Sequence, residues 1–231
     1  YDPRIQDTAR AFAKVLAAAG QDVGTLGRDE VDSGHEARRM GEEGLFETLR
    51  DKNLEALAER PGGEIVSTDP HTFNSLCNDY GEEVDRPVRH HTQVLAKLLD
   101  EGRVPVKRNG DARTYVFHDP CYLGRHNGVY DEPRRVLDAL GLKTAEMERS
   151  RNRSFCCGGG SLYLFHEGES ERRMGEVRLD MAAEAGAEVI VTACPFCLIN
   201  LEDAIKTSGR EGSIEVKDIA EVVEQALDGE A

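Results

Sequence analysis

Positive charge is scarce in this 231-residue chain: 29 Lys plus Arg stand against 44 Asp plus Glu, a formal net charge of −15. Phosphate backbones are held by clustered positive charge, so nucleic-acid binding is excluded as a main function. Lysine is scarcer still, at 7 of the 29 basic residues. The acid surplus is no tail, because residues 1–110 carry −6 and residues 111–231 carry −9. An acidic, Lys-poor globular composition fits either a surface adapted to high salt, where screening removes self-repulsion, or an ordinary acidic surface. Long apolar runs are missing too: none approaches the ~18 residues of a membrane span, which predicts a soluble segment. The first residue is Tyr1 and no signal-peptide pattern precedes it, so the chain is expected to be a piece of a longer cytoplasmic protein.

Cysteine is nearly absent from the first half and concentrated in the second. The six are Cys77, Cys121, Cys156, Cys157, Cys194 and Cys197. A disulfide framework belongs to small exported domains, whereas this length supports one large or two small cores. Cys121 is followed after 34 residues by the adjacent pair Cys156-Cys157, and after 36 more by Cys194-Pro195-Phe196-Cys197. A Cys-x-x-Cys pair places two thiolates on one turn, which suits a soft metal or a redox pair. Four of the five late cysteines would close a zinc site with one to spare, while a multi-iron cluster has use for all five. Cys77 has no cysteine neighbour and reads as a small buried hydrophobe rather than a ligand.

Three blocks carry a resemblance: His118-Asp119-Pro120-Cys121-Tyr122-Leu123-Gly124-Arg125, Phe155-Cys156-Cys157-Gly158-Gly159-Gly160, and Thr192-Ala193-Cys194-Pro195-Phe196-Cys197. Over about eighty residues they resemble the CCG cysteine-rich domain of heterodisulfide reductase catalytic subunits and related iron–sulfur oxidoreductases. The resemblance implies a noncubane [4Fe-4S] cluster held by Cys121, Cys156, Cys157, Cys194 and Cys197, with zinc as the alternative. The residues place these ligands consistently. Segments 114–118 and 188–193 read as β-branched or aromatic strands, and Cys121 and Cys194 follow them, where α/β folds build sites. Gly158, Gly159 and Gly160 would let backbone approach an inorganic core.

The halves also resemble each other. Val66 to Phe73 lies on Val191 to Leu198 at an offset of 125, and Asp32-Ser33-Gly34 lies on Cys156-Cys157-Gly158. Arg38-Arg39-Met40-Gly41-Glu42 recurs as Arg172-Arg173-Met174-Gly175-Glu176, nine residues out of that frame. Four cluster positions are thus Asp32, Ser33, Asp69 and Thr72 in the first half. Hard oxygen groups do not replace thiolates around an iron–sulfur core, so this first site is expected to be empty. Tyr1-Asp2-Pro3-Arg4 resembles Tyr130-Asp131-Glu132-Pro133-Arg134, which predicts an upstream strand in a longer parent.

Each half alternates helix and strand. Expected in the first are helix 3–19, strand 21–26, helix 36–59, strand 64–68 and helix 92–101; in the second, helices near 131–140, 168–185, 196–206 and 217–228, with 102–111 as linker. The fold class expected is α/β: two tandem similar three-layer units with mostly parallel sheets, a degenerate copy at 1–110 and an intact one at 111–231. His90 and His91 read as capping and packing residues, or as a proton or cofactor contact near the interface between copies. His118 and His126 are placed to hydrogen-bond the cluster or donate protons. Arg125 would balance cluster charge or form a surface ion pair.

The expected function is an iron–sulfur oxidoreductase module passing electrons through one cluster. His90-His91-Thr92-Gln93 and the blocks at 118–125 and 130–134 resemble large membrane-associated reductases. That likeness implies an electron-transferring flavoprotein as donor, quinone as acceptor, further iron–sulfur or cytochrome parts, and a place on the cytoplasmic face of the membrane. Heterodisulfide reduction, a structural zinc domain and a partner-docking scaffold are the alternatives.

Overall fold

A computed structural model describes residues 2–60, 62–107, 111–160 and 172–228. The second half is built on a parallel sheet ordered β4-β3-β5-β6, with β3 at Thr114–Phe117, β4 at Lys143–Ala145, β5 at Val189–Thr192 and β6 at Glu215–Asp218. Alternation along the central strands sends side chains to both faces. Tyr115, Phe117, Val189 and Val191 join one core, and Val116 and Ile190 join another. Helices α7 (Met174–Glu184) and α8 (Pro195–Thr207) cover the second core through Leu179, Leu198 and Leu201. The opposite face carries α6 (Asp131–Ala139) and α9 (Ile219–Gln225), giving three layers.

The first half contributes a second parallel sheet, β1 (Ile65–Ser67) with β2 (Val88–His90). Its wiring repeats that of β5 and β6. β1 leads through Asp69 into α4 (Pro70–Asn74), as β5 leads through Cys194 into α8, each helix with proline at its first position. β2 ends in His90, which caps α5 (His91–Asp100) with Gln93 in a capping box, as Asp218 and Glu221 do for α9. Val66 and Val191 therefore hold corresponding places. Helix α1 (Pro3–Ala18) lies along α9 and α5 along α6, so Phe12, Val15, Leu95 and Leu98 share the largest core with Tyr115, Val136 and Val223. The two halves are thus packed through one continuous apolar layer.

Several local expectations need correction. The helix expected over 36–59 is two helices, α2 (His35–Arg39) and α3 (Glu43–Ala58), broken at Gly41, whose φ of +85° no helix allows. Residues 21–26 form no strand, because an extended segment becomes one only by pairing and β1 pairs β2 alone among the described residues. The expected linker is partly structural: Val104 is buried, Val106 bridges Leu227, and the Lys107 N–H donates to the Ala226 carbonyl at 2.8 Å. Residues 108–110 and the start of the helix expected from 168 lie outside the described residues. Lys217 and Asp218 belong to β6 rather than to the last helix. Cys77 is exposed, on a wide turn at 75–79 that continues α4, and is no core residue.

Candidate functional site

β3 and β5 release the chain at their carboxyl ends, side by side, where parallel sheets place their sites. After β3 the chain passes through His118 and Asp119, both buried, into the turn holding Cys121. Asp119 organises this corner. Its carboxylate accepts from Arg134 Nη1 and Nη2 at 2.8 and 3.0 Å and from the Arg151 N–H at 2.8 Å, and its carbonyl accepts the Ser154 hydroxyl at 3.0 Å. The Cys121 turn, α6 and the segment leading into Cys156 are pinned to this one residue.

At the second loop, the Gly158 N–H donates to Cys156 Sγ and the Gly159 N–H to Cys157 Sγ, each at 3.3 Å. A Cβ on Gly159 would sit 2.8 Å from the Phe196 carbonyl oxygen, so only glycine lets this turn rest on α8. Cys194 is the N-cap of α8, and Cys197 lies one turn in, its sulfur 3.3 Å from that of Cys157. Cys121 faces Cys156, Cys156 faces Cys157, and Cys194 faces Cys197. All five thiols are thereby linked in one run of sulfur contacts. Cys157, Cys194 and Cys197 are buried, and Cys121 and Cys156 are half-buried.

Crowded thiols cannot all ionise together. Hydrogen bonds from Cys121, Cys157 and the Gly158 N–H hold Cys156 far below the ordinary thiol value. The hydrogen bond with Cys156, then burial, pushes Cys121 far up. Contacts with Cys157 and Cys194, then burial, raise Cys197 likewise. A soft cationic core would replace those protons, because thiolate ligation releases them. Five sulfur donors, inward N–H groups and a glycine turn against the ligand helix fit an iron–sulfur centre.

The histidines divide. Arg178 Nε donates to His118 Nδ1 at 3.0 Å, so the imidazole proton sits on Nε2. A ring nitrogen of His118 lies within 4.8 Å of the Cys157 and Cys197 sulfurs. Burial and the Arg178 charge push His118 down to about 3. It is therefore a neutral N–H donor, suited to hydrogen-bonding sulfur and not to supplying an acidic proton. His126 is exposed and stacks on Tyr122 at 4.3 Å; its backbone N–H donates to the Cys121 carbonyl at 3.2 Å, and its ring makes no hydrogen bond to a cysteine among the described residues. His90 caps α5, and the fully buried His91 bonds Asp218 through Nε2 at 3.1 Å, so packing and capping account for both. Arg125 is exposed and makes no ion pair among the described residues; with Glu148, Arg149, Asn152 and Arg153 it lines an open groove of about 420 Å³.

At the corresponding first-half positions oxygen atoms bond one another. Thr72 Oγ1 lies 2.9 Å from Asp69 Oδ2 and 3.4 Å from Ser33 Oγ, and Asp69 caps α4 through the His71 and Thr72 N–H groups. Gly34 and Gly158 repeat the same left-handed backbone, φ +75° and +87°. Above this cluster His71 Nδ1 bonds Glu36 at 2.9 Å and its ring lies between His35 and Phe196.

Residues 115–202 match the family described as the cysteine-rich domain CCG. This segment is a CCG cysteine-rich domain. The CCG segment brings with it relatives that align over nearly the whole chain, which is 43% identical to a probable membrane-anchored ferredoxin of Chromohalobacter salexigens, covering 99% of the chain and 35% of that protein. It is 39% identical to the EtfAB:quinone oxidoreductase of Syntrophomonas wolfei, over 99% of the chain and 33% of that protein. It is 33% identical to a dihydromethanophenazine:CoB–CoM heterodisulfide reductase polypeptide of Methanosarcina barkeri, over 95% of the chain and 55% of that polypeptide. The chain thus spans from a third to about half of these relatives, and its CCG domain is related to those of iron–sulfur oxidoreductases. Among the described residues no helix is long and apolar enough to cross a membrane.

Beside the CCG cysteines stand groups that sequence reasoning missed. Arg134 ends the run Tyr130 to Arg134, which carries no cysteine, Ser154 has no distinctive pattern around it, and Arg178 is one arginine among 22. The Asp-Pro-Cys run was the available signal for Asp119, since an acidic residue beside a ligand commonly holds its loop.

Proposed function

We propose that this chain is the cluster-bearing electron-transfer part of a larger iron–sulfur oxidoreductase. In this reading residues 111–231 form an intact CCG domain holding one noncubane [4Fe-4S] cluster through Cys121, Cys156, Cys157, Cys194 and Cys197. Residues 1–110 form a second copy that has lost its ligands. The observation that carries the reading is the meeting of five thiols from three loops, set against Asp69, Thr72 and Ser33 at the matching places. A structural zinc site needs only four of those sulfurs and leaves the fifth without a purpose.

The relative named EtfAB:quinone oxidoreductase supports electron-transferring flavoprotein as donor and quinone as distant acceptor, reached through parts of the parent protein outside this chain. Such a parent would work at the cytoplasmic face of a membrane. Heterodisulfide reduction is the second reading, favoured by the likeness to the Methanosarcina barkeri heterodisulfide reductase. A single thiol-bearing site among the described residues argues for one-cluster electron transfer over it. The even acidity of both halves is read as a salt-adapted surface, which higher unfolding stability in molar potassium chloride than in dilute buffer would bear out.

Anaerobic reconstitution with iron and sulfide, followed by visible absorption, EPR and metal analysis, tests the reading. A brown protein with about four irons per chain and a reducible signal is expected. A colourless protein carrying one zinc would overturn it.

A further inference from the structure

Arg178 is fully buried, and among the described residues no carboxylate lies within ion-pair distance of it. Asp119, the acidic group nearest to it electrostatically, is already held in two-point contact by Arg134. Arg178 instead donates to neutral partners: His118 Nδ1, the Arg149 carbonyl at 2.8 Å and Met181 Sδ at 3.7 Å. Its Nη2 has no hydrogen-bond partner among the described residues. A buried charge without a counter-charge is among the costliest features a fold can carry. The sulfurs of Cys157 and Cys197 lie on that side, and as metal-bound thiolates they would offset it.

The other half supplies an internal control. Counting from the strand offset of 125, the place of Arg178 on the helix before the strand is taken by Asn53 on α3. Asn53 is buried too, but neutral, and its amide donates to the Asp32 carbonyl and the Tyr80 hydroxyl, both at 3.0 Å. Where the thiols are gone the positive charge is gone as well.

We infer that Arg178 is the internal counter-ion of the sulfur-ligated centre and acts on it through His118, whose Nε2–H it aims at the Cys157 and Cys197 sulfurs. Both are positioning residues. Arg178 locks the tautomer that excludes His118 as a metal ligand and makes it a hydrogen-bond donor to sulfur. Its charge favours the more negative, reduced state of the centre. Burial lowers Arg178 to about 10, so the charge persists at neutral pH.

The inference rests on the iron–sulfur reading, and its test separates the two. Wild type, Arg178→Lys, Arg178→Gln and His118→Gln are each prepared with cluster and stripped of metal, and iron content, thermal unfolding and reduction potential are measured. Metal-free Arg178→Gln should be as stable as metal-free wild type or more so, because an unpaired buried charge has been removed. The loaded variant should be less stable than loaded wild type. Its reduced state should be disfavoured by about tenfold or more, a fall of ~59 mV for one electron. His118→Gln should lower the potential in the same direction, Arg178→Lys should lie between, and the double variant should add little to Arg178→Gln. Equal destabilisation of metal-free and loaded forms, or an unchanged potential at normal iron content, would overturn the inference. A wild-type chain that takes up zinc and no iron sinks the iron reading alone, and the counter-ion claim is then decided by comparing zinc-loaded with metal-free stability.

Discussion

The imidazole of His71 stacks on the ring of Phe196, centroids 4.7 Å apart and planes 23° apart, and the two residues hold the same place in their respective halves, 125 positions apart. Each follows the proline that opens a helix at the end of a strand. The first-half oxygen cluster and the second-half cysteines therefore face one another, with Tyr122 set edge-on to His71 and His35 beside them. His71 is also the charged member of the contact. Burial pulls its basicity down, but the Glu36 hydrogen bond and the charges of Cys194, Asp69 and Glu36 outweigh that and raise it from 6.5 to about 9. A folded value above the unfolded one gives stability that is complete below pH 6.5 and lost as pH rises through 9. In metal-free protein, Glu36→Gln should cost about 1–3 kcal/mol at pH 6 and little at pH 10, read from urea unfolding. A cost independent of pH would show that the pair is not ionic.

The five cysteines should behave as one set and Cys77 as an outsider. Cys156→Ser or Cys157→Ser should abolish iron binding, since each sulfur touches two others. Cys77→Ser should leave iron content unchanged, and in the loaded native protein iodoacetamide should label Cys77 first. Protection of Cys77 by the cluster would mean that the ligand set is wrong.

The gathering of the five late cysteines is legible in the sequence because thiols are chemically distinctive and their spacing is tight, whereas the exposure of Cys77 is not, since a lone cysteine reads as a small hydrophobe. The central strands were legible for a different reason: Val-Ile-Val-Thr and Thr-Tyr-Val-Phe are buried on both faces and carry continuous apolar runs. The flanking strands escaped notice, since Lys143–Ala145, Val88–His90 and Glu215–Asp218 are short, polar and defined by pairing with a neighbour. The break at Gly41 lay inside a strong helical pattern, and a lone glycine there does not announce a reversal of φ. Arg178 gave no signal because its meaning lies in what is missing around it. The packing of α1 on α9 depends on contacts more than two hundred residues apart, beyond any local pattern.

Gly159 and Gly160 look alike in sequence and should respond differently to substitution. A Cβ at Gly159 would meet the Phe196 carbonyl at 2.8 Å, while one at Gly160 would meet only the His71 ring at 3.5 Å. Gly159→Ala should push the first turn of α8 away from Cys157 and cost about 1–3 kcal/mol with loss of iron. Gly160→Ala should retain iron. Metal analysis of the two variants, prepared side by side, decides the point, and equal iron content in both would show that the close approach is not needed.

The first-half oxygen cluster makes a complementary prediction. Ser33 Oγ and Thr72 Oγ1 stand 3.4 Å apart, while the corresponding Cys157 and Cys197 sulfurs stand 3.3 Å apart. The same loop geometry is thus closed by hydroxyl and carboxylate hydrogen bonds on one side and by facing thiols on the other. Hydrogen bonds contribute whether or not metal is present, whereas sulfur ligands contribute fully only when loaded. Thr72→Val should cost about 1 kcal/mol equally in metal-free and loaded protein, and Asp32→Ala should leave iron content unchanged. Cys197→Ala should be mild in metal-free protein, where it relieves thiol crowding, and severe in the loaded form. Should Asp32→Ala or Thr72→Val change iron content, the oxygen cluster would be a working ligand set, and the chain would hold two centres where the thiols provide for one.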